Sequence, residues 1–241
     1  MSTDAVTIEW RGELPVVRMD DGKANALNPA TMASLSKALD ECSDAPAVVL
    51  TGNPKRFSGG LDLKVLPTLP QEELADALEQ FGALCMRLLG YPRPVIAAVP
   101  GHAVAGGAVM LLTCDYRLAA DCDCRIGLNE VAIGVPMPTF VVELAKAVLP
   151  VSSLRPVVLH GRLFCPREAC EMGLIDEVCE PDDLLPRALD VARELSRLPD
   201  PAYSLTKKRM QAHLQSTLHG LPDELNVFFT EQAMNYASRF G

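Results

Sequence analysis

The chain has 241 residues, enough for one large domain or for a domain with an appended helical tail. Hydrophobic residues make up 49% and charged residues 22%, which excludes global disorder and provides for a substantial core. With 22 Lys and Arg against 31 Asp and Glu the net charge is -9, which argues against nucleic acid as the main partner; a few local lysines or one helix N-terminus can still hold a small anion.

Met1 to Trp10 lacks the basic start and apolar run of a secretory signal. The longest apolar stretches, such as Pro94 to Pro100, are too short to span a bilayer. The expectation is a cytoplasmic protein with no membrane partner. Eight cysteines in a chain of this size suit reduced thiols better than a disulfide framework. Cys122 and Cys124 form a C-x-C with no second Cys or His pair at ligand spacing, so no metal site is expected.

In chain order, Val6 to Trp10 and Leu14 to Met19 alternate around Arg11-Gly12-Glu13 and predict a β-hairpin. Asn28-Pro29 opens a helix, with Asn as cap and Pro in the first turn, and Met32, Leu35, Leu39 and Cys42 recur at helical spacing. Ala47 to Leu50 reads as a buried strand and Gly52 to Gly60 as a loop. Gln71 to Leu89 is a long helical pattern. Pro94 to Val99 is a second buried strand, Gly106 to Leu112 a buried helix, and Tyr116 to Ala119 a third strand. This alternation predicts an α/β fold with parallel strands. Helices are expected over Thr139 to Val148, Ser152 to His160, Arg167 to Met172, Pro181 to Leu198, Ala202 to Leu218 and Asp223 to Tyr236, with one strand near Ile175 to Val178. The two prolines between Leu198 and Ala202 mark the best boundary between residues 1–198 and a helical region at 199–241.

Two glycine-rich turns follow predicted strands: Phe57-Ser58-Gly59-Gly60-Leu61-Asp62, and Gly101 to Gly107. Glycine lets a ligand approach the main chain closely, and two such turns at neighbouring strand ends can aim two N–H groups at one oxygen. The alternative is that they only make tight turns. Neither has a dinucleotide or P-loop spacing. Glu130 is a lone acid in the apolar run Ile126 to Val135. Burial there raises the pKa of a carboxyl towards neutrality and suits it to general-base work; an exposed loop glutamate is the alternative. His102 reads as a turn residue, and Ser58 has no evident His partner. Lys23-Ala24-Asn25-Ala26-Leu27 offers main-chain groups to a flat polar ligand, and Lys23, Lys55, Arg56 and Lys64 are candidates for phosphates.

Taken together, these segments resemble the crotonase, or enoyl-CoA hydratase/isomerase, family from the hairpin to about Met210. Lys23 to Asn28 resembles the family's adenine-binding loop. Phe57 to Leu63 resembles its F-x-[AG]-G-x-D-[LI] stretch, which places the first oxyanion amide on Gly59. Val99 to Gly107 followed by Cys114-Asp115 resembles the stretch carrying the second amide, on Gly106. The resemblance implies a crotonase-like (ββα)n spiral core, a C-terminal helical oligomerisation region, and a homotrimer or dimer of trimers. It implies an acyl-CoA thioester substrate held by Lys23, Ala24, Ala26, Gly59, Gly60, Leu61, Asp62 and Val109, with coenzyme A entering as part of the substrate and no further cofactor.

Family hydratases carry a Glu three residues after the second oxyanion glycine, where this chain has Val109; their other Glu is matched by Glu130. The segments Ala105 to Gly107, Leu112 to Arg117 and Ile126 to Glu130 are closer to the Δ3,Δ2-enoyl-CoA isomerases. The expected activity is therefore double-bond isomerisation with Glu130 as the single base. Hydration, thioester hydrolysis or decarboxylation on the same fold, and non-catalytic acyl-CoA binding, are the alternatives. Acyl chain length is expected to depend on Leu66, Leu69, Met137 and Phe140.

Overall fold

The computed structural model describes residues 5–218 and 220–226. Strands β1 (Val6–Arg11) and β2 (Leu14–Met19) form the expected antiparallel hairpin, turning at Gly12. After β3 (Ala26–Leu27), Asn28 caps α1 (Pro29–Glu41) by accepting a hydrogen bond from Thr31 N–H. β4 (Val48–Thr51) leads into β5 (Arg56–Ser58), β6 (Gly60–Leu61) and α2 (Gln71–Leu89). β7 (Val95–Val99), β8 (His102–Val104) and α3 (Gly106–Leu112) follow, then β9 (Tyr116–Ala120) and β10 (Ile126–Gly127). The remainder holds α4 (Thr139–Val148), α5 (Pro166–Glu171), β11 (Glu177–Cys179), α6 (Leu184–Leu195), α7 (Ala202–Met210) and α8 (Leu221–Asn226).

The main sheet runs β1-β2-β4-β7-β9-β11 and is parallel except for the hairpin; a second sheet runs β10-β8-β5. β4, β7 and β9 in the first sheet are each followed by a strand of the second. The chain therefore spirals, and each turn adds one strand to both sheets. The central strands are buried on both faces, which is why they are continuous apolar runs. Val48, Leu50, Val95, Ala97 and Val99 face the large core shared with α1, α2, α3 and α4. Val49, Ile96, Ala98 and Leu118 face the other way, where Leu184, Ala188 and Ala192 of α6 cover them. The fold is the α/β spiral expected from the sequence. All eight cysteines are free thiols, and no helix among the described residues is long and apolar enough to cross a membrane.

Several local expectations need correction. The loop at Gly52 to Gly60 contains β5 and runs into β6, and the turn at Gly101 to Gly107 contains β8. These strands span two or three residues, so only their partners define them. Ser152 to His160 is a single 3-10 turn followed by a π-helical segment at Arg155–Leu159. The helix from Ala202 stops at Met210, and Leu214 beyond it is buried in the core. Of the helix expected over Asp223 to Tyr236, α8 covers the start, and the rest lies outside the described residues.

The C-terminal region packs onto the spiral. Leu214, Leu221 and Leu225 join the large core. Lys207 on α7 is buried and its ammonium donates to Asp115, which also accepts from Val95 N–H at 2.8 Å. Burial pushes the Asp115 carboxyl above its ordinary range, against the opposing pull of Lys207. Removing one member of such a pair leaves an uncompensated buried charge. Lys207→Ala is expected to cost about 3 kcal/mol in denaturant unfolding, and the double variant with Asp115→Asn should recover part of that loss.

Candidate active site

The loop before β3 is built around one side chain. Asn25 is buried with φ 49°, a conformation that Asn tolerates better than most residues. Its amide donates to Met19 O (3.0 Å), Arg56 O (3.0 Å) and Phe57 O (3.2 Å), while its Oδ1 accepts from Asp21 N–H at 3.0 Å. Asp21 in turn accepts from the N–H groups of Lys23 and Asn25. Asn25 thus ties the Lys23–Ala26 loop to β5. The loop's main chain is held in one shape, and Lys23 stands exposed beside it.

Ser58, fully buried, extends the same framework. Its hydroxyl donates to Asn25 O at 2.7 Å and accepts from Gly60 N–H at 3.1 Å. It is a structural brace with no histidine partner. Gly59 N–H donates to Ala24 O at 2.9 Å. This corrects the expectation that Gly59 supplies a free amide: its proton is already committed to the loop. The next free amide is two residues on. β6 pairs with β3 in the register Leu27–Leu61, and Asp62 N–H donates to Leu27 O. In a parallel ladder the intervening Leu61 N–H then points away from β3. It points towards α3, where a Cβ placed on Gly106 would lie 3.3 Å from Leu61 N.

Gly106 is the first residue of α3, so its N–H has no partner inside the helix, and it has no other protein acceptor among the described residues. The turn before it is strained: Ala105 has φ 50° and ψ −128° and is held there by its N–H bond to Gly127 O at 3.0 Å. The two segments touch where Gly60, at φ 87°, lies against Gly106; a Cβ on Gly60 would stand 2.7 Å from Gly106 N. Two unpartnered amides therefore sit side by side at one end of a cleft.

That cleft encloses about 530 Å³ including its open mouth, and Glu130 is the one ionisable residue lining it. Val109 lines the same cleft, almost fully buried, so an apolar wall stands where a second carboxylate would be needed for two-carboxylate chemistry. The β8–β10 pairing, Val104 with Gly127, delivers Glu130 three residues later, at the start of a 3-10 turn over Val131–Ile133. Glu130 as a residue is half-buried, but its Oε2 has no exposed surface and no hydrogen-bond partner. Burial pushes its pKa up to about 7, with only its own backbone N–H opposing the rise.

Gly59 and Leu61 line the cleft; Lys23, Ala24, Ala26, Gly60 and Asp62 do not. Asp62 instead closes the following turn, accepting from Lys64 N–H at 3.0 Å. The residues expected to size the acyl chain are also displaced. Leu66 and Phe140 are core residues, and neither they nor Leu69 and Met137 line the cleft. The walls are Leu63, Phe81, Ile133, Val135, Pro138, Val141 and Leu225. His102 faces a different part of the surface, its Nδ1 accepting from Arg125 N–H.

The family model described as enoyl-CoA hydratase/isomerase matches residues 10–233. The chain belongs to that family. This family member is 36% identical to a Thermus thermophilus protein bearing an enoyl-CoA hydratase name, over 84% of this chain and 82% of the relative. Among solved structures, it is similar to a Mycobacterium tuberculosis enoyl-CoA isomerase in its apo state, at 37% identity and a TM-score of 0.85, covering 93% of this chain and 98% of the other. A second structure from the same locus carries a hydratase name, at 35% identity and a TM-score of 0.86, covering 99% and 100%. Human mitochondrial Δ3,Δ2-enoyl-CoA isomerase matches at 25% identity and a TM-score of 0.91, covering 98% and 96%. The enoyl-CoA hydratase/isomerase family is thus established, and both reaction names occur among its similar members.

The raised pKa has a consequence for stability. The folded value, about 7, lies above the ordinary 4.5, so the native state retains a proton that the unfolded chain releases. The contribution is fully present below pH 4.5 and is lost as pH rises to 7. Glu130→Gln abolishes this loss. The stability difference between the variant and the natural protein should grow in the variant's favour by about 2–3 kcal/mol across that interval and level off above it, as read by denaturant unfolding at stepped pH.

Proposed function

We propose that this protein is a Δ3,Δ2-enoyl-CoA isomerase in which Glu130 shuttles one proton across an enolate held by the Leu61 and Gly106 amides. The observation that carries this reading is a single carboxyl, its buried Oε2 without a partner, in a cleft otherwise walled by apolar side chains and two free amides. The thioester oxygen of a 3-enoyl-CoA accepts from both amides. Glu130 removes a proton from C2, and the electron pair moves through C1 onto that oxygen. The protonated carboxyl then returns the proton to C4, the double bond settles between C2 and C3, and the thioester carbonyl re-forms. Each oriented amide is worth about 3 kcal/mol of transition-state stabilisation, and a placed general base roughly 10²–10⁴-fold in rate. A pKa near 7 suits a group that must both take and give the proton near neutrality.

Val109 favours isomerisation over hydration. Adding water requires the water to be held and a proton to be delivered, and a valine offers no hydrogen bond to water. The Lys23–Ala26 loop, with its main chain fixed by Asn25, is proposed as the seat of the adenine of coenzyme A.

Glu130→Gln should lower conversion of 3-enoyl-CoA to 2-enoyl-CoA at least a hundredfold while acyl-CoA binding persists; turnover within about tenfold of the natural enzyme would remove Glu130 as the base. Mass analysis of separate incubations with 3-enoyl-CoA and 2-enoyl-CoA decides the reaction, since hydration adds the mass of water and isomerisation adds none.

The amide assignment makes a paired prediction. A Cβ on Gly59 meets nothing closer than 3.4 Å, so Gly59→Ala should retain turnover within about threefold. Gly60→Ala drives a methyl against Gly106 N at a positive φ and should cost roughly a hundredfold in kcat/KM. The opposite ranking would show that the close approach at Gly60 does not hold the amide pair in place.

A further inference from the structure

The wall of the cleft includes one residue from the far end of the chain. Its other lining residues come from positions 59–141, whereas Leu225 comes from α8. Two contacts fix α8 beside this wall. On α2, Gly82 leaves a notch: a Cβ there would stand 2.8 Å from Leu221 Cδ2 and 3.2 Å from Leu218 Cδ2. Its neighbour Phe81 lines the cleft. At the start of α4, Pro138 provides no side-chain cap, and the Glu224 carboxylate accepts from Thr139 N–H at 2.5 Å, from a position 85 residues along the chain. A carboxylate is favourable at a helix N-terminus. Pro138 and Val141, at that same end of α4, also line the cleft. Each contact that seats α8 thus lies next to a residue of the apolar wall, and Leu225, 5% exposed, completes that wall.

We infer that Leu225 sets the length of acyl chain this cleft accepts, with Gly82 and Glu224 positioning it. The ligand class is an aliphatic acyl thioester whose chain lies among Phe81, Pro138, Val141 and Leu225. The inference rests on the acyl-thioester reading above but not on which reaction follows. The wall is apolar throughout, so it discriminates by volume alone. Shortening Leu225 opens room for added methylenes, each worth roughly fourfold in affinity where it is buried.

The test is calorimetric binding of saturated acyl-CoAs of four to twelve carbons, which cannot isomerise and so report on the cleft without turnover. Leu225→Ala should raise the affinity for ten- and twelve-carbon chains relative to the four-carbon chain by about tenfold, and Leu225→Phe should lower the same ratio. Glu224→Ala should shift it in the direction of Leu225→Ala, with Glu224→Asp restoring it. Equal ratios in all variants would overturn the inference. So would a uniform loss at every length, coenzyme A alone included, since that is the signature of damaged folding. A natural protein that binds no acyl-CoA more tightly than coenzyme A itself would overturn the acyl-thioester reading as well. A natural chain-length preference unmoved by residue 225 would overturn this inference alone.

Discussion

The site depends on one close approach of main chain to main chain. Gly60 lies against Gly106, and Gly107 lies against Ser58, where a Cβ would come within 2.3 Å of Ser58 O. No side chain fits between these segments, so glycine is required by the packing itself. The approach brings the Leu61 and Gly106 amides together without spending either on a protein acceptor. Three neighbouring donors are used: Gly59 N–H on Ala24 O, Gly60 N–H on Ser58 Oγ, and Ala105 N–H on Gly127 O. Two amides left free among so many that are bonded mark a position where an external oxygen fits.

The electrostatics follow from the same enclosure. A carboxyl in a cleft that Val109, Ile133, Val135 and Leu225 also line cannot ionise cheaply, and its Oε2 finds no donor that would offset the cost. The result is a group poised between protonation states near neutrality. It is destabilising to the fold when charged, which is the ordinary cost of placing a carboxyl in an apolar cleft. Similar proteins carry both hydratase and isomerase names. Val109 gives this cleft an apolar wall.

The C-terminal region belongs physically to the site as well as to the tail. Lys207 pins α7 to the sheet through Asp115, and α8 then folds back across α2 to complete the apolar wall. The buried ion pair contributes position more than net stability, because desolvation of both charges offsets much of their attraction.

The sequence by itself determined the hairpin, the capped first helix, the buried parallel strands and the helices at Gln71–Leu89, Gly106–Leu112 and Thr139–Val148, because each is encoded by local periodicity and end signals. It also singled out Glu130 and the glycine turn ending at Gly107, because a lone acid in an apolar run and a glycine turn after a strand are local patterns, whereas Gly106 as a donor and Val109 came only through the family resemblance. Tertiary structure alone decided which amides are free. The donor moved from Gly59 to Leu61 because the partner of Gly59 N–H is a carbonyl on another segment, and no local pattern reports on that. The same reason hid Asn25 as the brace of its loop, the two- and three-residue strands of the second sheet, and Leu225 in the wall. Hydrogen-bond partners and cavity walls are properties of pairs of distant segments, and they exist only once the chain has closed on itself.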